Sequence, residues 1–132
     1  MGIRFKSWPK NRKSLLKPKE VPIKEKDIEL QICRYLLTQN IFFWKQPTTG
    51  YFDTKRKKFR EQASPFAIRG VADILACVRG RFVAIEVKTR KGAQKHSQKI
   101  FEENLTKAGG VYLLARSVED VKNLLDSLSL GV

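Results

Sequence analysis

An acidic residue two positions before a lysine occurs three times in this sequence, and context separates the three copies. Residues 53–55 lie in a basic stretch and residues 120–122 begin a predicted helix, where solvated charges are expected. Glu86 and Lys88 lie instead in a strongly apolar run. Because side chains alternate across a strand, both would project from one face. Charges there are costly unless paired or coordinated, so the pair indicates either a reactive site or a solvated ion pair.

Asp73 adds a second carboxylate near the same point. It stands near the start of the preceding apolar run, and an antiparallel hairpin would bring it alongside Glu86. Converging carboxylates repel each other unless a divalent cation lies between them. Asp73 alone could also be a strand-end carboxylate that bonds to the backbone. Hard oxygen ligands of this kind suit Mg²⁺ or Mn²⁺, completed by water and a substrate phosphate oxygen.

Two more polar side chains are expected to point toward the sheet from helices. Glu29 accompanies one apolar stripe and Gln98 leads another, and residues three or four apart share a helix face. Each alone is typical of a half-buried structural residue. With Asp73 and Glu86, however, they predict four polar residues from separate elements on one sheet face. The stripes comprise Ile28, Ile32 and Leu36, and then Phe101, Leu105 and Ala108.

The elements that position these residues follow from apolar periodicity and turn signals. Their order predicts an α/β fold with a mixed central sheet flanked by helices. The predicted elements are a helix over 23–38, a strand over 41–44, a hairpin of strands over 71–78 and 82–88, a helix over 95–107, a strand over 111–115 and a last helix capped by Ser117.

The charge balance identifies the class of partner. Lys and Arg number 27 against 13 acidic residues, a formal net charge of +14, so a polyanion such as nucleic acid is expected. An anionic membrane is the rival, but the sequence lacks a basic amphipathic helix, a lipidation signal and an apolar stretch of about 20 residues.

Residues 23–132 are predicted to form one domain, preceded by a basic flexible arm at 1–22.

Cysteine usage bears on the compartment. Cys33 and Cys77 lie far apart in apolar segments, which predicts buried free thiols and a reducing environment. The N-terminus lacks the apolar run of a secretory signal. The expected location is the cytoplasm of a bacterial, archaeal or phage-infected host cell.

Basic residues cluster in two places that could hold a phosphate backbone. One is the polar insert between residues 45 and 69, and the other follows Lys88. A charge run is more often a solvated loop, so the assignment rests on the net charge as well. The residues predicted to contact nucleic acid are Lys55, Arg56, Lys57, Lys58, Arg60, Arg69, Arg90, Lys91 and Lys95.

Several motifs in order resemble the PD-(D/E)XK nuclease superfamily, and within it the VRR-Nuc domain. The matching segments are residues 70–75, 80–88 and 92–98, with Gly109-Gly110 ahead of the next strand. The resemblance spans about residues 25–121 and implies a restriction-endonuclease-like core. Ala72 stands where the family usually has proline. The arm and residues 51–69 have no clear counterpart.

The resemblance also implies roles. Asp73 and Glu86 would bind catalytic Mg²⁺, with Mn²⁺ able to substitute and the Val87 carbonyl as a third ligand. Lys88 would orient or deprotonate the attacking water and stabilise charge on the phosphate. Glu29 would support a second metal ion or its water, and Gln98 would position water or the lysine. Hydrolysis would leave a 5′-phosphate and a 3′-hydroxyl.

The sequence leaves several functions and substrates open. Stand-alone members of this type resemble structure-specific endonucleases, including dimeric Holliday junction resolvases of DNA recombination and repair. This implies branched DNA as substrate and a homodimer. A restriction-type or general DNA nuclease on the same fold is the first alternative. A non-catalytic DNA-binding protein and a ribosomal-type basic protein are the others, although neither needs inward-facing carboxylates.

Overall fold

All the predicted helices and strands are present in the predicted order, and two short strands are added between the first and second predicted strands. The computed structural model describes residues 23–47, 51–53, 55, 58–60 and 64–130, and the predicted arm at 1–22 lies outside this range. The elements are α1 (Glu25–Thr38), β1 (Phe42–Lys45), β2 (Tyr51–Asp53), β3 (Lys58–Arg60), β4 (Ile74–Val78), β5 (Arg81–Val87), α2 (His96–Lys107), β6 (Val111–Ala115) and α3 (Val118–Leu130).

The main sheet has four strands in the order β1-β4-β5-β6. Strands β1, β4 and β5 pair antiparallel, whereas β5 and β6 pair parallel. Two parallel neighbours need a crossover connection, and α2 supplies it. The sheet is therefore mixed and the fold is α/β, as predicted.

A tight turn sets the alignment of the two central strands. Arg79 and Gly80 both have positive φ values, 51° and 80°. A two-residue hairpin turn of the primed type requires positive φ at both positions, and glycine adopts it without steric cost. The resulting register pairs Ile74 with Ile85, so Asp73 and Glu86 follow as the next facing positions.

The sheet is covered on both faces, which gives three layers. On one face, β4 and β5 pack against α1 and α3. On the other face, a smaller cluster packs against α2. The first cluster includes Ile32, Leu36, Ile74, Val83, Ile85, Val87 and Val121, and the second includes Ala72, Leu75, Ala84, Phe101 and Leu105. We call the second face the α2 face.

The basic insert contains regular structure that the sequence analysis did not predict. Strands β2 and β3 form a two-stranded antiparallel sheet whose backbone register pairs Phe52 with Phe59. Each strand has three residues, which is too short to show a period-two pattern. The insert therefore includes a hairpin in addition to loops.

The cysteine prediction is correct in one respect and wrong in another. Cys33 and Cys77 are both free, as expected. Cys33 is only partly buried, however, and Cys77 is exposed on the α2 face. The reason is that α2 covers the Ala84 end of the hairpin and not the end near its turn.

None of the described helices is long and apolar enough to cross a membrane.

Candidate active site

Asp73 is held at the start of β4 by backbone groups from both neighbouring strands. Its Oδ2 accepts a hydrogen bond from the Val87 N–H at 2.8 Å. Its carbonyl accepts one from the Gln46 N–H, also at 2.8 Å. These contacts fix the carboxylate beside the last residues of β5, as expected of a strand-end carboxylate that bonds to the backbone. The role of Asp73 as a metal ligand stays a prediction.

Glu86 and Lys88 are the two buried charged side chains among the described residues. They are 2% and 6% exposed and lie on the α2 face, the same side of the sheet as Ala84. The Lys88 Nζ lies 3.8 Å from Glu86 Oε1. Glu86 Oε2 is buried and has no hydrogen-bond partner among the residues that the structure describes. A buried polar atom without a protein partner is costly, so Oε2 is the atom of this carboxyl that is open to a ligand or a water molecule.

Gln98 connects α2 to the carboxylate. Its Nε2 donates to Glu86 Oε1 at 2.8 Å. Its Oε1 accepts from the Lys95 N–H at 2.8 Å, which caps the start of α2 and leaves the amide nitrogen to face Glu86. The prediction that Gln98 faces inward is confirmed. Its contact is with the carboxylate, while its predicted effect on water or lysine stays a prediction.

A close backbone approach sets the position of α2. A Cβ on Gly70 would lie 2.2 Å from the Ser97 carbonyl oxygen and 2.7 Å from the Gln98 nitrogen. Gly70 also has a φ of 76°, which side chains rarely tolerate. Only glycine lets the segment before Asp73 lie directly on the first turn of α2. The two site elements are therefore packed backbone to backbone.

Burial changes the acidity of Glu86. Desolvation, and next the negative charge of Asp73, raise the pKa of Glu86 from 4.5 to about 8, although nearby Lys88 opposes the shift. At neutral pH this carboxyl therefore holds a proton in the absence of another positive charge. A cation bound at the same point would replace that proton.

The donor set fits a hard divalent cation. Asp73 and Glu86 offer carboxylate oxygens, and the unpartnered Glu86 Oε2 supplies a buried donor. The described residues contain no group of three or more His, Cys, Asp or Glu side chains that could hold a metal ion. The protein would therefore contribute two carboxylates, and Mg²⁺ usually completes its coordination with backbone, water and phosphate oxygens. The Val87 carbonyl remains the predicted third ligand.

Glu29 lies elsewhere than the sequence analysis expected. Helix α1 packs on the face opposite α2, so Glu29 does not share the face of Asp73 and Glu86. Its Oε1 forms an ion pair with Lys45 Nζ at 2.8 Å. Hydrogen bonding to Glu29 raises the pKa of Lys45, and the charge of Asp73 adds to the effect. Glu29 is therefore linked to the site through Lys45, which pairs with Glu29 and also interacts with the charge of Asp73. The role of Glu29 in a second metal site stays a prediction.

Arg116 is a residue of the site region that sequence reasoning missed. Its Nη1 donates to the backbone carbonyls of Thr89, Arg90 and Gly92. These contacts hold the loop that follows Lys88 against the end of β6. The partners are backbone atoms 24 to 27 residues away, so no sequence signal identifies them.

The structure describes the burial of some, but not all, of the residues predicted to contact phosphates. The five whose burial is described are all exposed, as such a role requires. They are Lys55, Arg69, Arg90, Lys91 and Lys95. Arg56 and Lys57, and the side chains of Lys58 and Arg60, lie outside the described part. Their contact with nucleic acid stays a prediction.

Comparison with known proteins agrees with the fold. A solved structure described as "VRR_NUC domain" is similar to this chain, with a TM-score of 0.55 and 17% sequence identity. The match covers 77% of this chain and 94% of that chain. No family model matches the sequence, and no curated protein matches it. The chain therefore has the restriction-endonuclease-like α/β fold of a VRR_NUC domain, which confirms the fold prediction.

The raised pKa of Glu86 predicts a pH-dependent stability. The folded state holds the Glu86 proton more tightly than the unfolded state, so this contribution is complete below pH 4.5 and is lost as pH rises through about 8. In EDTA, the melting temperature of Glu86→Gln minus that of wild type should therefore increase as pH rises from 5 to 9. Thermal unfolding measures the difference, with the exposed Glu119→Gln as control. A difference that is constant over this range would contradict the shift.

Proposed function

We propose that this chain is a metal-dependent endonuclease that hydrolyses DNA phosphodiester bonds, with branched DNA as its preferred substrate. The supporting observation is the pair of carboxylates, half-buried Asp73 and buried Glu86, beside the buried Lys88. In that pair Glu86 Oε2 lacks a partner among the described residues. The VRR_NUC fold and the sequence motifs support the same reading.

Each side chain of the site would have a separate role in the reaction. A divalent cation held by Asp73 and Glu86 would supply a Lewis acid for phosphodiester hydrolysis. Gln98 holds Glu86 Oε1, which leaves Oε2 available. The Val87 N–H fixes the Asp73 carboxylate. Lys88 places a buried positive charge where it can stabilise the pentavalent phosphate or orient the attacking water.

Substrate binding would rely on charge. Arg90 and Lys91 are exposed on the loop that Arg116 holds, directly after Lys88. Exposed lysine and arginine side chains bind phosphates without reading bases, so recognition would follow the shape of the DNA. A homodimer would suit a four-way junction because two symmetric sites can nick two strands.

Two alternative functions can be distinguished from this proposal by experiment. A restriction-type or general nuclease would use the same site on plain duplex. A non-catalytic DNA-binding protein is less favoured, because binding alone gains nothing from a buried and a half-buried carboxylate that both repel phosphate.

The test compares cleavage of a four-way DNA junction with cleavage of its matched linear duplex, in Mg²⁺ and in EDTA. We expect paired, metal-dependent nicks near the branch point and at least 10-fold slower cutting of the duplex. Glu86→Gln purified in parallel controls for contaminating nucleases. Equal cutting of duplex and junction would reject the junction preference, and tight binding without any cleavage would reject the nuclease.

A further inference from the structure

Three aromatic side chains lie exposed on the sheet face that carries the candidate site. Phe42 and Trp44 are on the edge strand β1, and Phe82 is on β5. The strand register places Phe42, Cys77 and Phe82 in one row, and Trp44, Leu75 and Ala84 in the next. Since Leu75 and Ala84 pack against α2, both rows belong to the α2 face. We call Phe42, Trp44 and Phe82 the aromatic strip.

All three side chains of the strip are exposed. Phe42 is 71% exposed, Phe82 40% and Trp44 39%. The rings of Phe42 and Trp44 lie 5.8 Å apart at a tilt of 58°. The Trp44 Nε1 donates to Gln46 Oε1 at 3.2 Å, so the indole N–H is satisfied by the residue that follows β1. What remains for a partner is apolar ring surface.

The strip ends close to Asp73, one of the two candidate metal-binding carboxylates. Trp44 faces Leu75, which is two residues from Asp73, a distance of about 7 Å along the strand. Gln46, two residues beyond Trp44, donates its N–H to the Asp73 carbonyl. A nucleic-acid strand that places a phosphate at Asp73 and Glu86 could therefore pass its neighbouring nucleotide over Trp44.

We propose that the aromatic strip stacks on unpaired bases beside the scissile phosphate, so that the site takes DNA containing a single-stranded segment. This inference rests on the proposed nuclease function. Aromatic side chains on a basic protein are a general platform for single-stranded nucleic acid, because every base offers a π-face. Bases within a duplex are already stacked and do not offer that face.

The surroundings favour this occupant over a second copy of the chain. The protein carries a net charge of +14, which attracts a polyanionic strand. A dimer formed through the strip would also lie against Asp73 and obstruct the path of DNA to the candidate site. The strip adjoins Asp73 on the same face of the sheet, as a single-strand path to the site requires.

The first test uses fluorescence. The chain has two tryptophans, Trp8 and Trp44, so Trp8→Phe leaves Trp44 as the only indole reporter. In EDTA, binding of a single-stranded oligonucleotide should quench Trp44 emission, whereas saturating blunt duplex should leave it nearly unchanged. Absence of quenching at saturating single strand would overturn the proposal.

The second test measures affinity by anisotropy in the Glu86→Gln background. Phe42→Ala and Trp44→Ala should each weaken single-strand binding about 10-fold and duplex binding much less. Trp44→Phe should restore most of the affinity because it keeps an aromatic face. Phe66→Ala, which removes an exposed aromatic residue outside the strip, is the matched control. Equal losses on both substrates, or a dimer that Trp44→Ala dissociates without changing DNA affinity, would overturn the stacking role.

Failure of this inference is distinguishable from failure of the proposed function. If wild type cleaves DNA and the strip variants bind single strands normally, the strip inference alone is wrong. If no substrate is cleaved yet the strip variants lose single-strand affinity, stacking stands and the nuclease proposal fails.

Discussion

Replacing Glu86 by glutamine is expected to lower the rate of Mg²⁺-dependent DNA cleavage by about 1,000-fold or more. Glutamine keeps the size of the side chain but removes the charge of its buried carboxylate, the one with the unpartnered Oε2. Asp73 would then remain as the single carboxylate of the pair. The site should lose its affinity for a divalent cation while the fold persists.

Three measurements separate this expectation from a general loss of structure. Cleavage rate and Mn²⁺ affinity should both collapse, whereas DNA affinity in EDTA should change by less than about threefold. Asp73→Asn should behave similarly, although it also weakens the hydrogen bond from the Val87 N–H. Glu119→Gln, an exposed carboxylate on α3, should cleave like wild type. Wild-type cleavage by Glu86→Gln would reject the site.

Lys88→Met should lower the rate of the chemical step by about 100- to 1,000-fold while leaving metal binding intact. Methionine fills most of the volume of the buried lysine but lacks its positive charge. The ammonium lies 3.8 Å from Glu86 Oε1, where its charge also opposes a bound cation. Mn²⁺ affinity should therefore stay equal or increase as kcat falls.

Separate measurements of kcat and of Mn²⁺ binding decide this prediction. Lys107→Met, an exposed lysine in the last turn of α2, is the matched control. If Lys88→Met lost metal affinity in parallel with activity, lysine would be structural. If cleavage were unchanged, Lys88 would have no part in the reaction.

The sequence predicts the central hairpin well because two independent signals coincide there. Period-two alternation puts Glu86 and Lys88 on one face, and the short Arg79-Gly80 turn leaves little freedom in register. Once the register is set, Asp73 must lie opposite Glu86. The core of the candidate site therefore follows from local rules.

The layer in which a helix packs does not follow from local rules. The apolar stripe of α1 indicates that one face of the helix is buried, but not which face of the sheet it covers. Glu29 was expected beside Asp73 and Glu86 for this reason, and the structure places its helix on the other side. Its contact with Lys45 depends on the tertiary arrangement.

The exposure of Cys77 and of the aromatic strip has a related cause. An apolar run predicts a strand buried on both faces only if helices cover its full length. Helix α2 has 12 residues and packs near Ala84 and Tyr112, so the other end of the α2 face stays open. Helix coverage is a tertiary property that the strand sequence does not encode.

The most direct test of the central claim is cleavage of DNA by the wild-type chain with the divalent cation removed and then restored. Purified protein and a mixture of junction, single-stranded and duplex DNA would be incubated in EDTA, and then with excess Mg²⁺. We predict no cleavage in EDTA and recovery on Mg²⁺ addition, with products that carry 5′-phosphate ends. Glu86→Gln should remain inactive in both conditions. Cleavage that persists in EDTA, or that Glu86→Gln retains, would contradict a metal-dependent site built from Asp73, Glu86 and Lys88.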